Sequence, residues 1–116
     1  MSVAAAPPRT FEREERELAT LAKALGHTAR VQIVRLLLSR DACYCGEIVE
    51  ELPLAQATVS QHLKVLNQAG LIRGEIEGPR TCYWPDRERL ASLHGIVGAL
   101  LRDAVALSED GCGAEH

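Results

Sequence analysis

Between Pro53 and Gly70 the chain leaves room for one short helix, and the residues inside it make only one side apolar. Val59, Leu63 and Leu66 fall at i, i+4 and i+7, a spacing that predicts a helix over Ala55 to Ala69 with one buried stripe. Gly70 stands where a left-handed C-cap is wanted. With that stripe inward, a step of about 100° per residue turns Ala57, Ser60, Gln61, Lys64 and Gln68 outward. The helix must therefore be held against other elements by its stripe, and it offers small, amide and hydroxyl groups to whatever lies outside.

The neighbouring segments supply that support. Phe11, Leu18, Leu21, Ala22 and Leu25 have helical spacing, and Gly26 stops the pattern. Thr28 is placed to cap a second helix whose stripe is Val31, Val34, Leu37 and Leu38, ended by Ser39, Arg40 and Asp41. Cys43-Tyr44-Cys45 precedes Gly46 and reads as extended; Glu47 to Leu52 reads as a short helix broken by Pro53. Leu71 to Glu77 and Arg80 to Trp84 read as two strands of a hairpin with Gly78-Pro79 at its tip. Pro85 and Asp86 open a last helix with a long stripe of Leu90, Leu93, Val97, Leu100, Leu101 and Ala104. Residues 1–10 read as a flexible arm, 11–107 as the folded domain and 108–116 as a flexible tail.

At 116 residues this is one domain, and 47% hydrophobic with 25% charged residues is an ordinary globular balance. Only 3% of residues are aromatic, so the core must be aliphatic, and so small a domain gains by sharing a core with a second copy. No run approaches the roughly 20 apolar residues of a membrane helix, and the N-terminus lacks a signal-peptide pattern. The expectation is a cytoplasmic protein without a membrane partner. The net charge of −3 speaks against a nucleic-acid binder, but it is unevenly spread. Residues 1–51 carry 7 basic and 8 acidic side chains, 53–85 carry 3 and 2, and 86–116 carry 3 and 6. The surplus of acid sits mostly in the C-terminal third, and the middle is mildly positive.

The order helix, helix, short strand, short helix, turn, helix, hairpin is that of a winged helix-turn-helix, mainly α with a small β-hairpin. Leu25-Gly26-His27-Thr28-Ala29-Arg30, Ala57-Thr58-Val59-Ser60-Gln61-His62-Leu63-Lys64-Val65-Leu66 and Ala69-Gly70-Leu71-Ile72 resemble the ArsR/SmtB metal-responsive repressors. The resemblance runs from about Leu18 to Leu101. It implies a DNA-binding repressor whose first and last helices pair across a two-fold axis, with double-stranded operator DNA and a second copy as partners. The candidate DNA contacts are Gln56, Thr58, Ser60, Gln61, His62 and Lys64 on the helix and Arg80 at the hairpin tip. Gln61 has the donor and acceptor for a bidentate bond to adenine, and Lys64 is suited to phosphate. Arg73 flanks the wing. Arg30 reads equally as a phosphate contact or a surface charge, and the polar helix face equally as a solvated one. The last helix either pairs with a second copy or covers its own core.

Cysteines in a cytoplasmic chain favour metal binding, redox sensing or burial over structural disulfides. In an extended segment Cys43 and Cys45 point to the same face. The short strand of a winged helix pairs with the second wing strand, which here carries Cys82. Three thiolates with no nearby histidine suit trivalent arsenic or antimony, whereas zinc wants a fourth ligand. The resemblance points the same way, because arsenic-responsive members carry a Cys-x-Cys pair just before the DNA-reading unit. Their third cysteine, three residues later, is Ile48 here, so Cys82 is the expected replacement, ahead of Cys112 in the tail. The zinc-sensing members use Asp and His pairs on the last helix, where His94 stands alone. The expected site is Cys43, Cys45 and Cys82, with As(III) or Sb(III) as inducer. The alternatives are cysteines buried as small hydrophobes and a thiol-redox or persulfide switch joining Cys45 and Cys112. No phosphate-binding Gly motif, Gly-x-Ser-x-Gly or His-Glu-x-x-His occurs, so an enzyme is not expected.

Overall fold

The computed structural model describes residues 12–109. Phe11, the arm over residues 1–10 and Cys112 in the tail lie outside the described residues. The chain folds as α1 (Arg13–Leu25), α2 (Thr28–Arg40), β1 (Cys43–Tyr44), α3 (Cys45–Glu51), α4 (Gln56–Gln68), β2 (Ile72–Glu77), β3 (Arg80–Pro85) and α5 (Arg87–Glu109). The three strands form one antiparallel sheet in the order β1-β3-β2, so the short strand does pair with the second wing strand. This is a winged helix-turn-helix. Among the described residues no helix is long and apolar enough to cross a membrane.

Capping chemistry sets most boundaries. Glu12 precedes α1, and its backbone N–H donates to the Glu15 carboxylate at 2.9 Å. The N-cap of α2 is His27 rather than Thr28: its Nδ1 accepts from the Ala29 N–H at 3.1 Å. At the end of α4, Gly70 takes a φ of 84°, the Leu71 N–H reaches the Leu66 carbonyl and the Gly70 N–H reaches that of Asn67. These two bonds make a Schellman cap, as the position of the glycine predicts.

The core is aliphatic. Leu21, Ile33, Leu37, Ile48, Val59, Leu63, Leu66, Leu71 and Ile72 have no exposed surface, and each such side chain stabilises the fold by about 1.5–3 kcal/mol relative to exposure. In α2 the buried set is Ala29, Ile33, Val34 and Leu37, while Val31 and Leu38 from the expected stripe are exposed. On α5, Leu93 is buried and Leu90 and Val97 pack against the core, but Leu100, Leu101 and Val105 are left exposed. The helix thus covers its own core with its first half only. It also continues to Glu109, two residues past the expected end of the folded domain.

The joint between wing and α5 rests on Asp86. Its carboxylate accepts from the Arg89 N–H at 3.0 Å and from Arg73 Nε at 2.9 Å. These bonds, the Arg89 one foremost, hold its pKa below the usual carboxylate value. A depressed folded-state pKa gives stability that is present above the unfolded value and lost as pH falls through the folded one. Asp86→Ala is expected to cost about 1–2 kcal/mol in urea denaturation at pH 7. The gap between variant and wild type should begin to narrow as pH falls past the unfolded carboxylate value of about 4 and go on closing as pH falls through the lower folded-state pKa; a gap that stays constant over that whole fall would show that the charge is not the source.

Candidate nucleic-acid interface

Burial of Val59, Leu63 and Leu66 fixes the rotation of α4 and leaves Gln56, Ala57, Thr58, Ser60, Gln61, Lys64 and Gln68 exposed. That is the outward face expected from the helical step. His62 differs from the rest of the candidate set: it is only 8% exposed and turned inward. Its Nδ1 accepts from Arg30 Nε at 3.1 Å, and its ring lies 4.4 Å from that of His27. Burial first, then His27 and Arg30, lower its pKa, so the imidazole is neutral and able to accept.

Arg30 is half-buried and does more than stand as a surface charge. Its guanidinium also donates to the carbonyls of Lys23 and Ala24, at 3.3 and 3.1 Å, satisfying open acceptors at the end of α1. One arginine therefore joins α1 and α2 to the inner side of α4. The Leu-Gly-His-Thr-Ala-Arg segment carries His27 and Arg30 in plain view, but spacing alone does not show that both meet His62.

At the wing, the Arg80 guanidinium lies 3.9 Å from the centre of the Tyr44 ring. The Tyr44 hydroxyl donates to Glu77 Oε1 at 2.8 Å, and Glu77 is the cross-strand partner of Arg80 beside the turn. Arg73, flanking the wing, is exposed and pairs with Asp86 at 2.9 Å.

The cysteines are arranged differently from expectation. Only Cys43 and Tyr44 are in β1; Cys45 is already the first residue of α3. The Tyr44 N–H donates to the Glu47 carboxylate at 2.7 Å, which starts the helix earlier than the sequence pattern suggests. Cys43 pairs with Tyr83, and Tyr44 pairs with Cys82. Paired residues share a face and successive residues alternate, so Cys82 lies with Tyr44 on the outer face and Cys43 on the inner one. Cys43 is 2% exposed. The Cys45 Sγ sits 4.0 Å from the Ser60 hydroxyl of α4. The expectation of three thiols on one sheet face is therefore corrected, and among the described residues no three His, Cys, Asp or Glu side chains are gathered to hold a metal ion.

Both paired-strand thiols are held protonated. Burial, then Glu47, pushes the Cys43 thiol up against the opposing effect of Arg40; burial, then Glu77, Glu47 and Glu75, pushes up that of Cys82.

Residues 27–73 match the family described as bacterial regulatory protein, arsR family. The HTH-type transcriptional repressor SmtB of Mycobacterium tuberculosis is 37% identical over 102 residues, spanning 88% of this chain and 67% of that protein. A solved structure described as a possible transcriptional regulator for arsenical resistance superposes with a TM-score of 0.68 at 26% identity, covering 84% of this chain and 95% of that one. The homodimeric winged helix-turn-helix DNA-binding domain of a possible ArsR-family regulator from Mycobacterium bovis gives a TM-score of 0.61 at 26% identity, over 81% and 89%. Sequence and fold agree: the chain belongs to the ArsR/SmtB family of winged helix-turn-helix transcriptional repressors.

Proposed function

We propose that this repressor binds its operator as a two-fold dimer and releases it when a trivalent thiophilic species, arsenite or antimonite, is taken up by Cys43, Cys45 and Cys82. The observation that carries the reading is the pairing of β1 with β3, which sets the cysteine-bearing strand that leads into the helix-turn-helix beside the cysteine-bearing second strand of the wing. Gln56, Thr58, Ser60, Gln61 and Lys64 serve as the contacts of α4 and Arg80 as that of the wing; His62 serves instead to seat α4 from within. The solved arsenical-resistance and homodimeric neighbours support the inducer class and the assembly.

The donor set suits this chemistry, although its sulfurs are not gathered. Neutral arsenous acid exchanges three hydroxyls for three protonated thiols, releasing three waters with no net proton loss. Raised thiol pKa values therefore do not oppose it, whereas a divalent ion must displace the protons. The dispersed sulfurs also fit a repressor. An inducer releases DNA only by binding one state better than the other, and here it favours a state in which β1 has moved against β3. By linkage, operator DNA must weaken inducer binding by the same factor.

Reduced protein titrated with arsenite on a duplex from its upstream promoter region should release the duplex and gain one arsenic less three hydrogens in mass. Cys82→Ser should bind the duplex as wild type and stay bound at arsenite concentrations that free the wild type. A Cys82→Ser protein that responds fully removes Cys82 from the site.

A further inference from the structure

Tyr44 stands between two cysteines in sequence, yet its side chain faces neither the core nor α3. Its ring underlies Arg80 and its hydroxyl holds Glu77, so one residue from outside the hairpin fixes both residues flanking the Gly78-Pro79 turn. We infer that Tyr44 is a positioning residue for DNA reading: it holds Arg80 in its reading attitude and releases it when β1 moves. The inference rests on the proposed contact between Arg80 and DNA and goes beyond it by naming what sets that contact.

The first half stands on entropy and geometry. An arginine at an exposed hairpin tip would lose rotamer freedom on binding DNA. Stacked on an aromatic face, the guanidinium is already ordered, with its planar fork of N–H groups still open at the edge. Glu77, the nearest carboxylate across the strand, is occupied by the phenol hydroxyl instead of closing on Arg80. The second half stands on register. Tyr44 and Cys82 share the outer face while Cys43 points inward. Bringing Cys82 to Cys43 or Cys45 requires β1 to turn relative to β3. β1 holds only two residues, so Tyr44 turns with it and leaves Arg80 without its platform.

Duplex binding by the full chain should separate these ideas. Tyr44→Leu is expected to weaken binding about fivefold to thirtyfold, the effect of one exposed cation–π stack lost in each half of the dimer. Tyr44→Phe, which keeps the ring but frees Glu77, should weaken binding clearly less than Tyr44→Leu. The double variant Tyr44→Leu/Arg80→Ala should bind no more weakly than Arg80→Ala alone. Losses that simply add, or a Tyr44→Leu protein that binds as wild type, overturn the positioning role. If Arg80→Ala has no effect while Gln61→Ala does, the wing contact and this inference fall together and the repressor reading stands.

A spectroscopic readout needs no DNA. The Arg80 Nε–H resonance should carry a ring-current shift in wild type and Tyr44→Phe and lose it in Tyr44→Leu. Arsenite should move the wild-type resonance toward the Tyr44→Leu position. If the mass shows arsenic bound and the resonance stays in place, the coupling of β1 to the wing is overturned. If no arsenic binds, the inducer reading fails and the coupling with it, while the duplex measurements still decide the positioning role.

Discussion

The Leu101→Glu variant is expected to fold, to sediment as a monomer at micromolar concentration and to lose at least about a hundredfold in operator affinity. Leu90, Leu93 and Val97 seat the first half of α5 on the core of its own chain, so folding does not depend on the second half of the helix. Beyond them Leu100, Leu101 and Val105 are 61%, 52% and 56% exposed, one apolar face on that second half. In the proposed dimer the face meets its own symmetry copy, so one substitution acts twice. Each leucine withdrawn from water contributes about 1.5–3 kcal/mol. A glutamate there forfeits that and adds an unpaired carboxylate at the contact. The DNA penalty is larger than the loss of one half-site, because two linked reading helices bind at an effective concentration that a monomer cannot match. Sedimentation and fluorescence anisotropy on the same preparation check both statements. A Leu101→Glu protein that remains dimeric places the contact elsewhere.

The wing and the reading helix are legible in the sequence because strong punctuation brackets them. Pro53, Gly70 and Gly78-Pro79 each stop or turn the backbone for a steric reason that tertiary packing does not override, and Gly78 does take a positive φ of 64°. The stripe of α2 is not legible, because Val31, Ile33, Val34, Leu36, Leu37 and Leu38 put apolar groups on nearly every side. There the period does not choose a face, and the packing of α4 does. Cys45 escapes the pattern because the start of α3 is capped by Glu47 on a tyrosine backbone, outside the Ser, Thr, Asp and Asn signature. Gly46, which the sequence pattern places just before a helix starting at Glu47, sits in the first turn of α3, where its N–H has no helical partner to lose. His62 shows the opposite case. The same step of about 100° that turns Gln61 outward places His62 about 60° from Val59, on the flank of the buried stripe. Counting it among the DNA contacts goes against that arithmetic. The partners that keep it inside, Arg30 and His27, come from over thirty residues away and leave no trace in local spacing.

Gln61→Ala is expected to lower operator affinity by about thirtyfold or more and to flatten the preference for adenine at one position in each half-site. Gln61 lies opposite a stripe of three fully buried residues, so the rotation of α4 that exposes it is fixed by the core. Alanine is a better helix former and no packing is lost, so stability should change by no more than about 0.5 kcal/mol. One bidentate amide contact carries about 1–3 kcal/mol of base discrimination, and a two-fold dimer loses it twice. An uncharged side chain releases no counterions. The salt dependence of binding should therefore be unchanged, whereas Lys64→Ala should reduce its slope by about one per phosphate contact and weaken all sequences alike. The contrast matters for a chain of net charge −3, whose excess of acid over base lies mainly in the last helix and the residues after it. With little positive charge to hold DNA indiscriminately, base contacts must supply a larger share of affinity than in a strongly basic protein. Anisotropy titrations of both variants on the operator and on single-base variants, at two or more salt concentrations, separate the two roles. Equal loss on every sequence after Gln61→Ala would remove Gln61 from base reading and leave shape and phosphate contacts to define the operator.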